Sequence, residues 1–117
     1  MAPPTEVGYV VLWCADLLAQ RDALVNALGL AVRYEDAEMV IFALVGTDLI
    51  LQRAAGDHAE RAGQVEIGFY VEDLDHLSTR AQDAGITLAA DRAPLEASRR
   101  LTVLRLPAGQ LVDLVGT

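Results

Sequence analysis

Two stretches of the chain carry the same hydrophobic plan. In "VEIGFYVEDLDHLSTRAQDAG", alternation with period two sets Val65, Ile67, Phe69 and Val71 on one face of a strand and Glu66, Gly68 and Tyr70 on the other. Asp73 follows as a residue able to accept hydrogen bonds from the free amides of a helix start. Leu74, Leu77, Ala81 and Ala84 then recur at helical spacing as one apolar stripe, and Gly85 is a C-terminal stop. The earlier copy runs from Tyr9 to Cys14, through Asp16 and a helix bearing Leu17, Leu24 and Leu28, to Gly29. Each helix is expected to cover one face of a sheet.

Short β-rich runs broken by Gly, Pro and Asp come after each helix. They are "LAVRYEDA", "EMVIFALVG" and "TDLILQRA" in the first copy, and "TLAADRA", "RLTVLRLPAG" and "QLVDLVGT" in the second. The polar stretch "AAGDHAERAG" between the copies reads as a linker. The pattern predicts an α+β fold of two βαβββ modules, about 6–54 and 64–117, joined by a linker at about 55–63 within a single domain spanning 1–117. A two-residue turn at Gly46 and Thr47 would set Ala43 opposite Ile50. A turn at Pro107 to Gly109 would set Arg105 opposite Leu111 and Val103 opposite Asp113.

Composition narrows the chemistry. With 117 residues, 53% of them hydrophobic, the chain can build one real core. No apolar run approaches the roughly 18 residues of a membrane span, and the first residues lack the pattern of a signal peptide, so a cytoplasmic location and no membrane partner are expected. All nine basic residues are arginine, which closes off Schiff-base lysine chemistry and the Walker-type phosphate loop. A net charge of −8 with dispersed arginines argues against nucleic acid as a partner. Cys14, the sole cysteine, lies in an apolar run and reads as a small buried hydrophobe.

The order of these parts resembles the vicinal oxygen chelate superfamily, which contains glyoxalase I, extradiol dioxygenases and bleomycin resistance proteins. The resemblance rests on "ADL" or "EDL" before each helix, "LGL" or "AGI" after it, and the closing "PAGQLVDLV". It covers nearly the whole chain. It implies a cup-shaped antiparallel or mixed sheet with the helices on its outer face, and Tyr9, Val11, Trp13, Glu66, Gly68 and Tyr70 lining the cup. The family's metal enzymes place ligands at four positions, which correspond here to Tyr9, Glu66, Asp113 and one of Ile50, Gln52 or Asp48. None is histidine; His58 falls in the linker and His76 on a helix surface.

The resulting expectation is a metal-free binding protein closest in character to the bleomycin-resistance type, without a cofactor. It would sequester a cationic or flat aromatic small molecule such as an antibiotic. Ligand contacts are assigned to Tyr9, Trp13, Gln52, Glu66, Tyr70, Arg105 and Asp113: the aromatics stack on the guest, and the acids pair with its cation. A homodimer is expected, with the "MAPPTE" arm reaching across to the partner. The alternative is a lyase, isomerase or dioxygenase of the same superfamily, using Glu66 and Asp113 as metal ligands or as general acid and base. A non-catalytic structural or regulatory dimer is a further alternative.

Overall fold

A computed structural model describes residues 3–117. Its elements follow the order β1 (Tyr9–Cys14), α1 (Leu17–Leu28), β2 (Val32–Glu35), β3 (Met39–Phe42), β4 (Asp48–Arg53), β5 (Val65–Tyr70), α2 (Leu74–Asp83), β6 (Thr87–Pro94), β7 (Arg100–Arg105) and β8 (Leu111–Gly116). A 3-10 helix, Gly56–Arg61, occupies the expected linker. This is the α+β plan of two βαβββ modules. The chain divides into two compact units, 9–65 and 66–117, the latter joined by residues 3–8. Residues 3–8 lie with the second module, where the Gly8 N–H donates to the Gly68 carbonyl at 2.8 Å, and the first two residues of the "MAPPTE" arm lie outside the described residues.

Local chemistry sets the helix ends. The Asp16 carboxylate accepts from the Ala19 N–H at 3.1 Å, and that of Asp73 from the His76 N–H at 3.0 Å. Gly29 adopts the left-handed conformation at φ 69°, and its N–H returns to the Val25 carbonyl.

In the first unit the strand order is β2, β3, β4, β1. Alternation directs Leu12, Cys14, Val40, Phe42, Leu49 and Leu51 toward α1, which answers with Leu17, Leu24 and Val25. Val40, Phe42 and Leu51 are fully buried, and each such side chain contributes about 1.5 to 3 kcal/mol. Leu28, expected in this stripe, is instead largely exposed, because the helix stops one residue later and Val25 takes the inward place. Cys14 is buried as expected, and that burial pushes its thiol pKa up. The β3–β4 register also differs from expectation: Ile41, not Ala43, stands opposite Ile50. Residues 43–47 form a longer connection than a two-residue turn. A shift of two preserves the faces, where a shift of one would have inverted them.

In the second unit the order is β5, β8, β7, β6. Arg105 pairs with Leu111 and Val103 with Asp113, as the turn chemistry predicts. What the hairpin pattern did not predict is that the first and last strands of each module run parallel, β1 beside β4 and β5 beside β8.

Polar contacts fasten α2 to its sheet. Ser78, not foreseen as a core position, is fully buried with its hydroxyl 2.7 Å from that of Thr102, also fully buried. Thr102 Oγ1 further accepts from the Arg92 N–H at 3.1 Å. Arg92 sits at a register shift in β6 with φ 53°, a left-handed conformation costing about 1 to 2 kcal/mol. The bulge lets its guanidinium reach the Thr79 hydroxyl at 2.9 Å and the Asp75 carboxylate at 3.0 Å. Arg100 binds the same carboxylate in bidentate fashion at 3.0 and 3.1 Å. Hydrogen bonds from Arg100, with a smaller pull from Arg92, hold the Asp75 carboxyl below the usual carboxylate range.

Thr102→Val removes a partner from both Ser78 and the Arg92 amide. It is expected to cost about 1 to 3 kcal/mol, read from urea midpoints, and to exceed the cost of Ser78→Ala, which leaves the Thr102 hydroxyl its amide donor. Asp75→Asn should lower Tm at neutral pH. A depressed carboxylate pKa contributes stability above the unfolded value of about 3.9 and loses it as pH falls through the folded value, so the two proteins should converge in acid. Added salt should narrow the neutral gap, because Asp75 is exposed.

Candidate functional site

The face of the second unit turned away from α2 has a composition that hydrophobicity alone does not explain. Ser78 and Thr102 meet between α2 and β7, so alternation directs Leu101, Val103 and Arg105 to the opposite side. Leu111, Asp113 and Val115 share that side on β8, and Glu66, Gly68 and Tyr70 share it on β5. Val103, Leu111 and Val115 are buried, which makes the centre of the face apolar. Two carboxylates are buried among them, Glu66 at 7% exposure and Asp113 at 4%.

The parallel register of β5 and β8 brings these acids together. Glu66 pairs with Leu111 and Gly68 with Asp113, so the acids occupy diagonal positions on neighbouring strands, about 7 to 8 Å apart along the sheet. Gly68 lies beside Asp113 and two residues from Glu66, and its lack of a side chain leaves space between the two carboxylates. Each acid is held by at least one interaction within the protein. Burying a carboxylate in an apolar face costs several kcal/mol unless it is engaged.

The other expected contacts have different surroundings. Tyr70 is 55% exposed at the end of β5, and its ring packs so closely on Gly8 that a side chain there would meet it at 2.6 Å. Arg105 is exposed at the end of β7. In the first unit, Tyr9, Trp13 and Gln52 lie on the face turned away from α1, where Tyr9 pairs with Asp48 and Trp13 with Gln52. The Gln52 amide donates to the Glu38 carbonyl at 3.1 Å. The Trp13 ring is covered by its own chain: the Arg61 guanidinium lies 4.9 Å from its centroid, and the His58 ring lies 5.7 Å away at a tilt of 54°. His58, read from sequence as an ordinary loop residue, is thus part of the Trp13 environment.

Among the described residues no three His, Cys, Asp or Glu side chains converge. Asp48, the further carboxylate at a ligand-type position, is ion-paired with Arg33 at 3.1 Å. His58 stands against Trp13, and His76 is exposed on α2.

No family model matches the chain, and no curated protein matches it. Solved structures do. A glyoxalase/bleomycin resistance protein/dioxygenase superfamily member from Vibrio splendidus 12B01 is 24% identical, with a TM-score of 0.70 over 93% of this chain and 97% of that one. A Streptomyces coelicolor methylmalonyl-CoA epimerase variant in complex with 2-nitronate-propionyl-CoA is 20% identical, with a TM-score of 0.75 over 98% and 96%. The Mycobacterium tuberculosis methylmalonyl-CoA epimerase is 20% identical, with a TM-score of 0.73 over 99% and 92%. These likenesses correct the sequence-based assignment to the metal-free bleomycin-resistance type, because several of the similar structures are epimerases. The chain therefore has the fold shared by the glyoxalase, bleomycin resistance and dioxygenase superfamily.

Proposed function

We propose that the protein is an acid–base isomerase acting on a small carbonyl compound, with Glu66 and Asp113 as its proton-transfer groups. The observation that carries this reading is the pair of buried carboxylates flanking Gly68 at the apolar centre of one sheet face. Removing a proton from a carbon next to a carbonyl requires a base held within hydrogen-bond reach in a water-poor setting. Returning it to the other side of that carbon requires a second group facing the first. One carboxylate takes the proton from carbon as the electron pair moves onto the carbonyl oxygen. The other, protonated, delivers a proton to the opposite face as the carbonyl re-forms. The gap left by Gly68 is where the reacting carbon would sit.

The fold likeness to methylmalonyl-CoA epimerases supports this reaction class, since a methylmalonyl group carries a C–H acidified by a carboxylate and a thioester. The chain's charge of −8 favours the small acyl portion over a polyanionic carrier as the recognised part.

Incubation in D2O with methylmalonyl-CoA, short methylmalonyl thioesters and related 2-substituted carbonyl compounds should introduce deuterium at the α-carbon of at least one of them, detected by mass spectrometry. Glu66→Gln and Asp113→Asn should each slow that exchange by about 100-fold or more while leaving the circular dichroism spectrum unchanged. Exchange at the parental rate in both variants would remove these residues from the mechanism.

A further inference from the structure

On the opposite side of the same sheet, beneath α2, lies a hollow of about 410 Å3 lined chiefly by apolar side chains, among them Phe69, Leu77, Ala81, Leu104 and Leu114. Its origin can be read from the two modules. Counted from the capping aspartates Asp16 and Asp73, Leu24 of α1 corresponds to Ala81 of α2. Leu24 packs onto the core of its unit, whereas Ala81 lines empty space. Ala84 adds a second small residue to the same wall. The sheet side of the hollow keeps large side chains, so the void is the volume that a leucine-bearing helix would fill.

The hollow is open to solvent, because Phe69, Leu77 and Leu104 remain partly exposed. Exposed apolar surface shaped into a concavity of this size is characteristic of small-molecule sites, which run from about 300 to 1,000 Å3. Its one charged lining residue is Arg80. Arg92 and Arg100 of this unit are engaged in ion pairs, whereas among the described residues Arg80 has none. A guanidinium at the edge of an apolar hollow complements a ligand with an anionic head and an apolar tail, and its planar fork matches a carboxylate.

We propose that this hollow is a binding site for an amphipathic carboxylate of medium chain length, its tail packed between α2 and the sheet and its head at Arg80. The site is separate from Glu66 and Asp113, which face the other way, and does not depend on their role. The tail supplies the affinity by burying apolar surface, and Arg80 selects an acid over an alcohol of equal length.

Decanoate and decanol serve as probes, titrated into the full chain by calorimetry with the oligomeric state followed by light scattering. Decanoate should bind at one per chain and decanol more weakly. Arg80→Gln should weaken decanoate about threefold, as expected for an exposed charge pair, and leave decanol unchanged. Ala81→Leu should weaken both by about tenfold or more by filling the hollow, while its urea midpoint shows that the fold persists. Absence of binding to the parent protein overturns the proposal, as does undiminished binding to Ala81→Leu. A parent dimer that Ala81→Leu converts to monomer, without decanoate binding, would assign the hollow to a second copy of the chain instead.

Discussion

Side chains alternate across a strand, and the parallel pairing of β5 with β8 turns that alternation into chemistry. Glu66 and Asp113 are far apart in sequence, yet one register places both on a single face with Gly68 between them. A slip of one residue in β8 would send Asp113 toward α2 and bring Val112 into its place. The register is held from both sides: β8 pairs with β7 throughout its length, and β7 is tied to α2 through Thr102 and Ser78. The buried hydroxyl pair on one face thus stabilises the geometry of the carboxylates on the other.

The two modules share a plan but distribute their packing differently. α1 meets its sheet with leucine and valine, and the contact is filled by Phe42, Leu51 and Val40. α2 meets its sheet with Leu74 and Leu77, a serine and alanines, and adds polar links: Asp75 to Arg92 and Arg100, Arg92 to Thr79, Ser78 to Thr102. Exposed ion pairs contribute little individually, whereas the buried hydroxyl pair is costly to break. The unit with the less filled helix contact is also the one that carries the two buried acids.

The left-handed conformation of Arg92 belongs to this compensation. A β6 strand without the bulge would follow its pairing with β7 undisturbed. With it, one residue turns an arginine back toward the helix, and its strained backbone is offset by a hydrogen bond from its N–H to the Thr102 hydroxyl and contacts to Asp75 and Thr79. Glycine there would relax the backbone and keep the N–H bond to Thr102 but forfeit the guanidinium contacts to Asp75 and Thr79.

Much of the fold was legible along the chain because its determinants are local. Capping aspartates, a stop glycine, period-two alternation and turn residues act within a few positions, so both helices, the eight strands and the β7–β8 register followed from them. The faces of Glu66 and Asp113 followed as well, since a strand's parity is a local property. The parallel pairing of first and last strands was not legible, because nothing within either strand names its distant neighbour. Nor was the burial of Ser78, which depends on a hydroxyl supplied by β7, or the covering of Trp13, which depends on where the 3-10 helix brings Arg61 and His58. Sequence by itself determined which residues share a face. Tertiary structure alone decided which of them are neighbours and which side chains are already occupied, because contacts between distant segments are set by packing that no local signal encodes.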